Sequence, residues 1–251
     1  MPRRKGQQDR HASDPKLATN RASVESGIAR KSGTSNGSLA RGFSRLHPKS
    51  VRVRPRRKTE EIDLPTARDA CRAIQHAMHV GRPINRHLTV CWQLAGVSDG
   101  LEATSRLMKL ICDGARRRGH RVSYLWVRET GQTVGDHVHI LFHLPEPLVG
   151  WYRKRKSGWL RRCGATFTEG TSKTTRVRGS TPVVTGVVTR SELYEDNLKK
   201  LGNYVLKHCS RATSKALRIN DNGPNLLIGK RVSISQDLHR KGRQECALCK
   251  G

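Results

Sequence analysis

The sequence predicts an α+β domain in which helices pack on an antiparallel sheet. Three observations carry that prediction. From residue 63 onward, helical and strand periods alternate in the order α–β–α–β–β–(basic α)–β–α. Two consecutive strand patterns, RVSYLWVRE and HVHILFHLP, are separated only by TGQTVGD, which reads as a hairpin. The first 60 residues show neither period and read as a separate, disordered basic arm.

The arm is defined by its charge. Residues 1–58 hold 16 Lys/Arg against 3 Asp/Glu, and Phe43 is their one aromatic residue. Such a segment cannot bury enough apolar surface to offset its ordering entropy. It serves either as a nucleic-acid arm or as a solvated tail adding only non-specific affinity. The first helix follows in IDLPTARDACRAIQHAMHVG: Ala67, Cys71, Ile74 and Met78 recur at helical spacing, Pro65 suits the first turn and Gly81 ends it. In RHLTVCWQL, Leu88, Val90, Trp92 and Leu94 alternate with His87, Thr89, Cys91 and Gln93, the pattern of a half-buried strand. A second helix is predicted over 101–118, with Leu107, Ile111 and Ala115 on one face and Gly119 as its stop.

After the hairpin, WYRKRKSGWLRR is predicted to be a basic helix and TPVVTGVVT (181–189) a strand. SELYEDNLKKLGNYVLKHC carries Leu198, Leu201 and Val205 at helical spacing, with Ser191 as a candidate N-cap. Beyond Ser210 the pattern weakens, DNGPN is turn chemistry, and 211–251 is expected to be an irregular tail. The domain is thus expected over 61–210.

Composition bounds the function. The chain of 251 residues has a formal net charge of +29, and +16 of it lies outside the arm. Clustered cations on that scale point to a polyanion, since phosphate backbones reward them through counterion release. No run of 18 apolar residues exists, so an ordinary membrane-spanning helix is not expected. MPRRKGQQDRHASDPK is followed by no apolar run and does not read as a secretory signal. Seven cysteines without framework spacing fit a reducing compartment, and a cytoplasmic location is expected. No glycine-rich phosphate loop is present, so no fused ATPase or helicase function is expected.

Two patterns carry chemistry. Period-2 alternation in HVHILFHL puts His137, His139, Leu141 and His143 on one face. His137 and His139 would stand about 7 Å apart, a spacing that lets both imidazoles reach one divalent cation. His143 would lie roughly 13 Å further on and either pack or touch substrate. The hairpin returns Glu129 to the neighbourhood of His137, giving a His/His/Glu set with open positions for water and phosphate. A structural histidine pair is the alternative. The second pattern is Tyr204 and Lys207, at i and i+3 on the last helix, which project from one face. Tyr204 reads either as a ring packed in the core with its hydroxyl at the edge or as a phenol nucleophile. A phenol has an ordinary pKa of about 10, so as a nucleophile it needs a metal or an ammonium beside it at neutral pH.

In WYRKRKSGWLRR, Trp151, Tyr152 and Trp159 interleave with Arg153, Lys154, Arg155, Lys156, Arg161 and Arg162. The pattern suits single strands, with bases on the aromatics and cations along the backbone, and equally suits an amphipathic helix. Arg116, Arg117 and Arg118 end a helix, where the macrodipole favours cations anyway. Cys246 and Cys249 form a lone CxxC that could close a zinc site with His239 and Cys209, or be two free thiols. Tyr194, ten residues before Tyr204, would stand roughly 15 Å away along the helix, too far to share one phosphate.

A strand with HLTVCW, a later strand with Glu129 and His137-Val138-His139, and a helix with Tyr204-Val205-Leu206-Lys207 together resemble the HUH endonuclease superfamily. Within it, the chain looks most like the single-tyrosine replication initiators of rolling-circle plasmids and phages. The resemblance covers about residues 84–210, with GKRVSISQDL (229–238) as a degenerate trailing motif. It implies a ferredoxin-like or RRM-like sheet holding Mg²⁺ or Mn²⁺ through His137, His139 and Glu129. It implies Tyr204 as the nucleophile that cleaves single-stranded DNA, leaving a 5′-phosphotyrosine and a free 3′-hydroxyl, with Lys207 assisting. Thr89 falls where the family places structural or DNA-positioning residues. The implied partners are single-stranded DNA with an origin hairpin and host replication proteins. A transposase or mobilisation relaxase would share the same site, and a non-catalytic basic nucleic-acid-binding protein is the competing class.

Overall fold

A computed structural model describes residues 56–166, 169–180, 192–239 and 241. The arm through residue 55, the strand expected at 181–189, the Ser191 cap and the Cys246/Cys249 pair lie outside the described residues.

Helix α1 (Leu64–His79) starts where Asp63 accepts a hydrogen bond from the Thr66 amide, with proline in its first turn. It buries a face of small residues, Ala67, Ala70, Ala73 and Ala77, which brings its axis close to its neighbours. Strand β2 (Arg86–Cys91) follows, then α2 (Gly100–Arg116), capped in the same way by Asp99. Strands β3 (Tyr124–Gly131) and β4 (Gly135–Phe142) form the expected hairpin. Its strands run longer than their hydrophobic patterns, so the connection shrinks to residues 132–134. The basic helix α3 spans Val149–Arg162.

Strand β5 (Ser172–Arg176) is new: SKTTR has no apolar alternation, and the strand sits at the sheet edge beside β2. Helix α4 (Glu192–Val205) ends one residue after Tyr204, so Lys207 lies in the turn beyond it rather than in the helix. The irregular tail expected over 211–251 is corrected within its described part. It contains α5 (Arg211–Leu217), β6 (Leu227–Ile228) and β7 (Val232–Ile234), each too short to show a period. The boundary of the arm also moves, because β1 (Lys58–Thr59) pairs with β6.

The main sheet has the order β5-β2-β4-β3-β7, and every pairing is antiparallel. Its first four strands arise from a β2–α2–β3–β4–α3–β5 run. Leu88, Val90, Trp92, Trp126, Val138, Ile140 and Phe142 face one core together with α2 and α3. Leu125, Val127 and Leu141 face a second core with α1 and α4. The sheet therefore separates two apolar layers. No described helix is long and apolar enough to cross a membrane.

Candidate functional site

Register assembles the site. Glu129 on β3 lies directly opposite His137 on β4, and Thr89 on β2 lies directly opposite His139. Directly paired residues project to the same side of a sheet. All four side chains thus emerge on the α1/α4 side, together with His87 by the period of two.

The carboxylate of Glu129 is the centre. Its Oε1 lies 2.7 Å from His137 Nε2, 2.9 Å from His139 Nε2 and 2.5 Å from Lys207 Nζ. His208 Nε2 approaches Oε2 at 3.2 Å. His139 Nδ1 lies 3.1 Å from both Thr89 Oγ1 and His87 Nε2. Lys207 and His208 arrive from the turn after α4, which Ile62 clamps by two backbone hydrogen bonds: its amide donates to the His208 carbonyl and its carbonyl accepts from Ser210.

Tyr204 closes the arrangement. Its ring centroid lies 5.1 Å from that of His139 and 6.3 Å from that of His87, and Lys207 Nζ lies 4.2 Å from the ring. Tyr204 is 47% exposed, so the phenol can be reached from solvent. The alternative reading of its ring as core packing is thereby corrected. Tyr194, by contrast, is buried, and its hydroxyl donates to the Ile84 carbonyl at 2.7 Å.

Burial alone would raise the Glu129 carboxyl, but hydrogen bonds from His137, His139 and Lys207 outweigh it and hold the group well below the usual carboxylate range. Burial pulls His137 down, yet the Glu129 and Gly135 hydrogen bonds raise it on balance. For His139 burial prevails over Glu129 and the imidazole is lowered. Burial, followed by the proximity of His139, lowers His87 to about 4.

These residues fit a divalent cation. Among the described residues, Glu129, His137 and His139 are the one group of such side chains whose ligand atoms all lie within 4.8 Å of one another. His137 Nδ1 donates to the Gly135 carbonyl at 2.8 Å, so Nε2 holds a proton toward Glu129 in the metal-free site and would offer its lone pair to a cation that took the proton's place. His208 is held likewise, Nδ1 donating to the Gly223 carbonyl at 3.0 Å. Two lone pairs directed at a carboxylate call for a cation or a proton between them.

The other expected residues fall elsewhere. His143 is buried with Nδ1 donating to the Pro83 carbonyl at 2.9 Å, so it packs. Arg153, Lys154, Arg155, Lys156, Arg161 and Arg162 lie on α3, which covers the opposite side of the sheet from Glu129. Trp159 is a correction: it is buried in the core under α3, its ring 4.9 Å from Trp151 and 6.0 Å from Tyr152, and offers no face to a base. Cys209 is also buried, which pushes its thiol up to about 12.

Sequence reasoning missed His87 and His208 as members of the site. His87 shares a strand face with Thr89, but only the β2–β4 pairing brings it to His139. His208 has no sequence signal, because a turn rather than a helical period directs it. No protein-family model matches the chain, and no match is found among curated proteins or solved structures.

Proposed function

We propose that the protein is a metal-dependent DNA-nicking and strand-transfer enzyme of the HUH type that initiates rolling-circle replication. The observation that carries the reading is the convergence of Tyr204 and Lys207 on Glu129, His137 and His139, from a segment 65 or more residues away in sequence. The β2–α2–β3–β4–α3–β5 run with strand order β5-β2-β4-β3 supports the ferredoxin-like reading.

Glu129, His137 and His139 would hold Mg²⁺ or Mn²⁺, which supplies charge neutralisation at the scissile phosphate. The chain's own groups do the rest. The Tyr204 hydroxyl attacks phosphorus and gives up its proton; the new bond joins phosphorus to the phenol oxygen. The bond from phosphorus to the 3′-oxygen breaks, and that oxygen leaves and takes a proton. The product is a 5′-phosphotyrosine and a free 3′-hydroxyl. Lys207 stands beside the ring, where its ammonium offsets charge on phenolate and phosphate. Thr89 and His87 fix the orientation of His139 through Nδ1.

Incubation of the protein with single-stranded oligonucleotides and Mn²⁺ tests the proposal. A covalent protein–DNA adduct resistant to denaturation is expected. It should be lost in Tyr204→Phe and in the His137→Ala/His139→Ala double variant. An adduct that persists in Tyr204→Phe overturns the assignment, and no adduct with the unaltered protein leaves a cationic binder.

A further inference from the structure

The opposite side of the sheet carries a second concentration of chemistry. A hollow of about 210 Å³ lies between the C-terminal end of α2 and helix α3. Arg117, Arg118, Arg155 and Arg162 line it together with Trp151 and Trp159, and no acidic side chain does. All four arginines are exposed, and none forms an ion pair with a described residue. The helix macrodipole accounts for cations in the last turns of α2 and α3. It does not account for Arg155, which stands in the middle of α3.

The hollow is built rather than incidental. Trp151 sits edge-on to Trp159 with centroids 4.9 Å apart, and the Arg118 guanidinium covers its ring at 4.5 Å. Arg118 is tied in turn to the Gly114 carbonyl at 3.0 Å. Gly114 makes this possible, because a Cβ there would come within 2.5 Å of the Trp151 ring. The Trp151 ring is thus covered by the Arg118 guanidinium, and Trp159 is buried, which leaves little aromatic surface for an unpaired base.

We propose that this arginine hollow binds the phosphate backbone of duplex DNA. Guanidinium forks match phosphate oxygens in pairs. Arg155 and Arg162 are separated by about 10 Å along α3, so the site reaches more than one phosphate. A surface that offers cations and withholds aromatic faces suits a duplex, whose bases are turned inward, over a single strand. The inference rests on DNA as the substrate of the proposed reaction. It adds a contact region for duplex, across the sheet from the tyrosine.

Fluorescence anisotropy with a 20-base-pair duplex and a 20-nucleotide single strand tests it, using the full-length protein and an Arg118→Gln/Arg155→Gln/Arg162→Gln variant. Duplex affinity should fall at least about ten-fold at moderate salt. The slope of log affinity against log salt should shrink by about 0.9 for each phosphate that the variant no longer neutralises. Single-strand affinity should fall less. Unchanged duplex affinity and slope, or an equal loss for both ligands, overturns the proposal. Circular dichroism checks the fold of the variant, and Arg155→Glu alone, on an exposed position, serves if the triple variant misfolds. The readout is binding, so it decides this site even if no tyrosine adduct forms.

Discussion

One oxygen atom concentrates the chemistry at the residue scale. Glu129 Oε1 is approached by two imidazoles and by the Lys207 ammonium at 2.5 Å, so Lys207 stands on an atom that a bound metal would also use. An ammonium and a divalent cation repel each other at such a separation. Lys207→Met should therefore bind Mn²⁺ about five-fold more tightly, on the order of 1 kcal/mol, the size of one partly screened charge pair, while adduct formation falls. The metal-free variant should melt lower, because a buried carboxylate loses a partner, and Mn²⁺ should restore it. Electron paramagnetic resonance titration with Mn²⁺ checks the affinity. Weaker binding in the variant would show that Lys207 supports the site instead of competing for it.

At the scale of elements, the β3–β4 hairpin sets the geometry. Gly135 opens β4 at φ +60°, a left-handed conformation, and its carbonyl fixes the His137 imidazole. A Cβ at this position would collide with the Gln93 side chain. Gly135→Ala should cost about 1–2 kcal/mol from backbone conformation alone, read as a lower urea midpoint. It should also weaken Mn²⁺ binding, because the carbonyl that orients His137 moves. The hairpin itself was legible, since both strands alternate and the connection is short. Its register was legible only in outline: Glu129 was placed near His137, whereas direct pairing is a property of the turn. Strand β5 was not legible, because an edge strand of polar residues has no burial to advertise.

For the molecule as a whole, the sheet is a partition with the Glu129 carboxylate and its histidines on one side and an arginine hollow on the other. The net charge of +29 gives the expectation of a polyanion partner but no place for it on the fold. His143 is buried and lowered from its usual value, because burial outweighs the hydrogen bond to Pro83, and Arg82 and Arg86 add to the lowering. A group whose folded pKa lies below its unfolded value stabilises least once it must protonate. Stability should hold above about pH 6.5 and decline as pH falls toward the depressed folded value. His87 and His139 act in the same sense, and His137 in the opposite one. His143→Gln should flatten the fall in melting temperature between pH 7 and pH 5; an unchanged slope would assign the acid sensitivity to His87 and His139.

The sequence by itself determined the α+β class, the principal helices, the hairpin and the His137/His139/Glu129 and Tyr204/Lys207 sets. The helices, the strands and the His137/His139 pair rest on periodicity among near neighbours, and side-chain direction along a helix or strand follows from backbone geometry alone. Glu129 came from the hairpin, and Lys207 was expected on a helix that in fact ends at Val205. Only the tertiary structure decided that the two sets meet, that His87 and His208 join them, and that Trp159 turns inward while Arg117 and Arg118 meet Arg155 and Arg162. Those outcomes depend on which distant segments pair and which faces bury, and that is settled by packing across the sheet rather than by any local pattern.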